Sequence, residues 1–250
     1  MKTVSLIGQR LLLAAIVLAI WELSSRQLQA FVLPGPLAVF DAFVSLVKTD
    51  TFWTDVAVTV RRVLLGFVLS AIVGTVIGVV FGASRRLAVF FEPVISVLNT
   101  VSSAIWAVFA IIWFGISDAS TVTVVFMTAM PLILTNVWEA TKTVDRQYVE
   151  LARSFRMNTF QIVRKIYIPT ILPAFFSASR LAFGFGWRVS LVAETIGAGS
   201  GIGYRLRLAA DMVQSAQVFA WTVLLIVFMV LIESGVIKPV EKWLFRWKLS

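Results

Sequence analysis

Three sets of polar residues interrupt an otherwise apolar chain where they could do chemistry. Arg180, Gly184 and Arg188 fall at i, i+4 and i+8 of one apolar run, with Trp187 and Glu194 close by. A guanidinium presents a rigid fork of donors that matches an oxyanion, so this stripe reads as the border of a path for an anionic solute. A charge facing lipid costs at least about 2.5 kcal/mol, so these side chains are expected to face protein or a wet cavity. The alternative is structural pairing, for example of Arg188 with Glu194 or Glu139. Asn99, Ser102, Ser103 and Trp106, with Asn136 from a later run, would bring further polar groups to the same path. The third set, residues 197–204 (GAGSGIGY), is dense in glycine. It follows a membrane run on the outer side, so it reads as an outer loop or gate and not as a nucleotide cradle.

The residues that are absent narrow the classes. The 250 residues include no cysteine and no histidine, which removes disulfides, thiolate metal sites and the commonest general base. No tight pair of acids occurs. No catalytic and no metal site is assigned, and a membrane enzyme has little support. The chain is 59% hydrophobic and 14% charged, against about half and a quarter for soluble domains. Its net charge of +9 fits basic loops facing anionic lipid and the cytoplasm better than nucleic acid.

The elements that must position these residues are helices. The chain reads as an all-α integral membrane protein, one domain over 1–250, with about six transmembrane helices at 8–25, 63–83, 94–114, 120–140, 170–197 and 218–238. A turn at 33–36 precedes an amphipathic helix at 37–47, expected along the outer interface with Trp53 as an anchor. Gly66, Ser70, Gly74, Gly78 and Gly82 recur every fourth residue, a stripe on which another helix backbone can approach closely. Ala178, Ala182, Gly186 and Ser190 form a similar stripe. Pro93 is expected to separate a surface turn from the third span, and Pro131 to kink the fourth.

Segment 147–168 cannot lie in lipid, because it carries Arg153, Arg156, Arg164 and Lys165. Asn158 with Gln161 has the form of a capping box, so a short helix, a bend and a second short helix are expected outside the bilayer between spans four and five. Basic residues concentrate in the segments assigned to the inside, among them Lys2, Arg10, Arg85, Arg86, Lys142, Lys238, Lys242, Arg246 and Lys248. Both termini are therefore expected in the cytoplasm. Arg61 and Arg62, at the outer start of span two, do not fit that bias.

Glu150, Leu151, Ala152, Arg156, Ile166, Ile168 and Pro169 keep the register of the loop E-A-A-x3-G-x9-I-x-L-P. On this loop the chain resembles permease subunits of type I ATP-binding-cassette (ABC) importers, with Leu151 and Arg156 replacing the motif's Ala and Gly. Residues 179–204, the WFG at 113–115 and the LPGP at 33–36 are similar to the sulfonate, taurine and nitrate permease branch. The resemblance implies a coupling helix whose residues Glu150, Leu151, Ala152, Arg153, Ser154, Phe155, Arg156 and Met157 dock on an ATPase subunit. It implies a second permease subunit in a homodimer, two ATP-binding subunits, an extracytoplasmic binding protein and a bacterial inner membrane. No G-x4-G-K-[ST] occurs in the chain, so ATP and Mg would be used by the partner, and no cofactor is assigned to this chain. Relatives tend to carry prolines near 100–108, where this chain has Thr100, Ser102, Ser103 and Val108, so the resemblance does not carry a bend into span three. The alternative is a free-standing channel or ion-coupled secondary carrier. That would need intramembrane acids or half-helix pairs, and only Glu194 and Glu139 qualify.

Overall fold

The computed structural model describes residues 2–239, all helices and connections, with no strand among them. In order these are α1 (Lys2–Gln27), α2 (Pro36–Val47), α3 (Asp50–Ala83), α4 (Arg85–Thr100), α5 (Ser103–Phe114), α6 (Asp118–Lys142), α7 (Arg146–Ser154), α8 (Thr159–Ile162), α9 (Ile168–Gly197), α10 (Ile202–Asp211) and α11 (Ser215–Ile232). Two π-helical turns, Val163–Tyr167 and Glu233–Ile237, lead into α9 and out of α11. Beyond Pro239 the basic tail, with Lys242, Arg246 and Lys248, lies outside the described residues, as do the side chains of Lys2 and Arg10.

Helix α6 is the centre of the bundle, packed between α3, α5 and α9. The four-residue stripe makes the first contact possible. A Cβ on Gly74 would lie 2.9 Å from the Met130 carbonyl oxygen, and one on Gly78 2.8 Å from that of Leu134. Ser70 Oγ bonds the Gly66 carbonyl at 2.7 Å and the Phe126 carbonyl of α6 at 3.2 Å. Without side chains in the way, the two backbones meet directly, which is how membrane helices associate when there is no hydrophobic drive between them. Ala178, Ala182, Gly186 and Ser190 are all buried, and Gly186 meets Val125 of α6.

Among the described residues four helices are long and apolar enough to cross a membrane: Asp50–Ala83, Asp118–Lys142, Thr159–Gly197 and Ser215–Gly235. A fifth is possible if α4 and α5 form one span, bent by 97°. The expected count of six is not reached among them; the run 8–25 lies in α1, whose first turns are only partly described.

The helix that holds the span expected at 63–83 begins thirteen residues before it, at Asp50, and the polar residues of those added turns find partners on other elements. The expectation for the third span is corrected. The span placed at 94–114 is broken at Val101–Ser102, and α4 runs unbroken through Pro93 with no surface turn there. Ser102 Oγ accepts from Ile105 N–H at the start of α5. This N-cap replaces the break that proline would make.

Candidate functional site

Burial of the small stripe of α9 against α6 turns Arg180, Gly184 and Arg188 toward a cavity of about 700 Å³. Asn99 from α4, Thr128 from α6, Ser177 from α9 and Glu233 from the turn after α11 also line it, with Leu181, Phe185 and Met229 as apolar wall. Arg180 donates to Glu233 Oε1 from Nη2 at 2.8 Å and Nε at 3.2 Å. Lys238 Nζ lies 3.7 Å from the same oxygen. The side chain of Arg188 is exposed and has no ion pair among the described residues. Rising about 1.5 Å per residue, α9 sets the two arginines about 12 Å apart along the wall.

Of the expected path residues, Asn99, Arg180 and Arg188 come together here. The others do not. Trp187 is wholly buried, packed with Phe52, Val63 and Phe183, with Nε1 on the Leu225 carbonyl at 3.4 Å. Trp106 packs against Val124 and Val189 in a separate cluster. Ser102 caps α5, Ser103 opens it, and Asn136 donates to the Leu132 carbonyl at 2.8 Å. Glu139 pairs with Lys142 at 2.7 Å.

Glu194 is fully buried and belongs to a different site, at the end of the bundle away from α7. Its Oε1 receives Arg62 Nη1 at 2.9 Å, and Thr59 Oγ1 reaches both carboxylate oxygens at 2.9–3.0 Å. Its Oε2 accepts the Gly203 N–H at 2.9 Å. Arg62, 3% exposed at its side chain, also donates to Asp118 Oδ1 from Nε and Nη2 and to the Ser200 carbonyl. Arg61 adds a second ion pair to Asp118. Asp55 takes the Gly201 N–H at 2.8 Å and Arg205 Nε at 2.5 Å. Gly201 has φ +105°, and a Cβ there would lie 2.6 Å from the Glu194 carboxylate. The glycine-rich loop therefore wraps a buried ionic cluster that joins α3, α6, α9 and α10. Sequence reasoning missed Asp55, Thr59, Arg62, Asp118 and Glu233. The misfit of Arg61 and Arg62 with the charge bias was the one available signal.

At the opposite end, α7 begins on Asp145, whose Oδ1 accepts Gln147 N–H at 2.8 Å. It ends in a Schellman motif: Met157 N–H reaches the Ala152 carbonyl and Arg156 N–H that of Arg153. Arg156 holds φ +55° there, the conformation for which the motif's glycine is suited. Asn158 and Gln161 form a reciprocal capping box. Tyr148, Leu151, Phe155 and Phe160 are exposed, as are Glu150, Arg153, Ser154 and Arg156. Ala152, which the resemblance counts among the docking residues, is buried beneath Leu151 and Phe155. Leu151, Phe155 and Met157 face Lys165, Ile166 and Pro169 across a groove of about 380 Å³.

Long apolar helices, a basic cavity on one of them and an exposed two-helix loop between two membrane runs define a multi-spanning transport subunit. More particularly, the chain belongs to the family of binding-protein-dependent transport system inner membrane components, which matches residues 66–237. It is 30% identical to SsuC of Bacillus subtilis (strain 168), a permease protein named for aliphatic sulfonates, over 96% of this chain and 87% of that one. It is 29% identical to the bicarbonate transport system permease protein CmpB of Synechococcus elongatus, over 93% of this chain and 86% of that one. The fold is similar to a subunit of the MetNI methionine ABC transporter, with TM-score 0.65 and 17% identity, covering 78% of this chain and 95% of that one. The chain is thus an ABC importer permease of the sulfonate, nitrate and taurine branch, a multi-pass inner membrane protein and a transport subunit, not an enzyme. This membership sets aside the free-standing channel or ion-coupled carrier.

Proposed function

We propose that the chain carries a small anion, such as a sulfonate, taurine, nitrate or bicarbonate, through a homodimer that receives it from an extracytoplasmic binding protein. Both termini lie in the cytoplasm, where residues 150–157 dock on two ATPase subunits. ATP and Mg stay with those subunits, and this chain binds no cofactor. The observation that carries the reading is Arg188, exposed in a 700 Å³ cavity and without an ion pair among the described residues. A lone guanidinium on an intramembrane wall is costly unless it serves a solute or water. The exposed Leu151 and Phe155, flanked by Glu150 and Arg153, support docking as an apolar ridge with a charged rim.

The test is uptake by the assembled transporter with Arg188→Gln. A fall of at least about tenfold is expected, the loss of one charged hydrogen bond. Unchanged uptake and affinity would remove the anion path. For the docking loop, Phe155→Glu is expected to lose co-purification of the ATPase subunits while the permease stays in the membrane. Retention of the full complex by that variant would move the contact elsewhere.

A further inference from the structure

We infer that the inner half of α3 is a seat for one anionic phospholipid, whose two acyl chains straddle the helix and whose phosphate lies among Arg85, Arg86 and Arg164. The seat is separate from the anion path and does not depend on it. On the face of α3 turned away from the small stripe, Ile72, Val76 and Val80 stand exposed at every fourth residue as a ridge. An apolar groove runs on each side of it. One, of about 370 Å³, lies between α3 and α9 and is lined by Ala71, Val79, Ile171 and Phe175. The other, of about 330 Å³, lies between α3, α4 and α6 and is lined by Phe81, Phe91, Ile95 and Leu134. Val76 belongs to both. From Ala71 to Phe81 is about 15 Å of helix, the depth of one leaflet in a hydrocarbon layer of about 30 Å.

Charge and position say what covers the ridge. Arg85 and Arg86 open α4 directly beyond it, past Ser84, and Arg164 lies one turn before Ile168 of the first groove. All three side chains are exposed and have no ion pair among the described residues. Glu139, the acid at the inner end of α6, is held by Lys142 at 2.7 Å, and Glu92 stands about 10 Å along α4 from Arg85. The mouths of both grooves are therefore basic, and a guanidinium fork suits a phosphate. Basic groups at the cytoplasmic surface draw anionic headgroups, and the grooves take the chains. Ile168, Ile171, Leu172 and Phe175 lie on the face of α9 opposite to Arg180, Gly184 and Arg188. A second copy that shares the solute path thus meets this one away from the ridge. Because Arg164 belongs to the turn that joins α8 to α9, the lipid would tie the exposed two-helix loop to the membrane surface.

The experiment delipidates the assembled transporter in detergent, returns equal amounts of phosphatidylglycerol and phosphatidylcholine, and counts by native mass spectrometry what the complex keeps. The native protein is expected to keep phosphatidylglycerol over phosphatidylcholine by at least about tenfold, and Arg85→Gln, Arg86→Gln and Arg164→Gln together to bring that ratio to about one. Val76→Trp fills the space shared by the grooves without changing charge and is expected to lower retention of phosphatidylglycerol by about tenfold. Ile72→Trp serves if Val76→Trp does not assemble. Leu65→Trp, on the same exposed face but in neither groove, is expected to leave retention unchanged. If the charge variant loses selectivity while the groove variants keep the native lipid, the attraction belongs to the basic surface at large and the seat falls. Lysophosphatidylglycerol, with the same headgroup and one chain, is expected to be kept about tenfold less, and equal retention would overturn the straddled arrangement. The chain has no cysteine, so Val76→Cys tests the other occupant. No cross-linked permease dimer is expected in oxidised membranes, and a dimer joined through that thiol would assign the ridge to a second copy and overturn the inference.

Discussion

Helix α9 holds charges in two settings. At Glu194 every donor and acceptor has a partner: Arg62, Thr59 and Gly203 close around the carboxylate, and Asp118 and Ser200 take the rest of the guanidinium. Two turns away, Arg188 lines an open cavity and has no ion pair among the described residues. Each setting holds a guanidinium against α9, Arg62 from α3 in the first and Arg188 of α9 itself in the second, and the number of partners sets them apart. A saturated cluster fixes the positions of the elements that supply it. An unsaturated arginine leaves donors for a molecule that is not part of the chain. Sequence alone placed Glu194 and Arg188 in one functional group, and counting partners separates them.

The largest expected effect breaks the saturated site. Glu194→Ala takes the buried carboxylate from Arg62, Thr59 and the Gly203 N–H and leaves Arg62 with Asp118 alone as counter-charge, and about 3 kcal/mol of stability should be lost in thermal or SDS unfolding of the purified protein. Replacing both Glu194 and Arg62 by Met should recover part of that loss, since an apolar pair of similar volume is often neutral while the Gly203 N–H and the Ser200 carbonyl still lose their partners. If the double replacement is as damaging as the single one, the cluster does more than hold helices. Gly201→Ala is next: the positive φ and the approach to Glu194 should cost about 2 kcal/mol by the same measurement. Arg156→Gly lies outside both sites and runs the other way. It relieves a left-handed arginine and should stabilise the protein by about 1 kcal/mol, measured as a raised unfolding midpoint. Arg188→Gln should be the smallest, within about 0.5 kcal/mol of the native protein, although it is the change expected to stop uptake. A large stability loss at Arg188 would erase the contrast.

What could be read from sequence was local or periodic. The capping box of Asn158 and Gln161 spans three residues and stands in the structure as written. The Gly66–Gly82 stripe has a fixed period, so it could be read without knowing that α6 was its partner. The start of α3 could not be read this way. Asp55, Thr59 and Arg62 look unsuited to a membrane helix until their partners are known, and those lie 56 to 150 residues along the chain. The break between α4 and α5 does carry a local signal, since Ser102 before the run from Ala104 has the composition of an N-cap and needs no proline to end the preceding helix. Glu233 was hidden as Asp55 was, since its arginine lies 53 residues earlier.

Helix α3 has 34 residues, about 51 Å of rise against a hydrocarbon layer of about 30 Å. With Ala83 at one surface, its opening turns stand like a mast above the other, and Asp55 and Thr59 grip the loop before α10 from that height. The elevation of α10 is therefore set by protein and not by lipid. Swelling or thinning the bilayer by a few ångströms would change how much of the mast is wetted, while a visitor alighting on α10 would still find its deck at the same level.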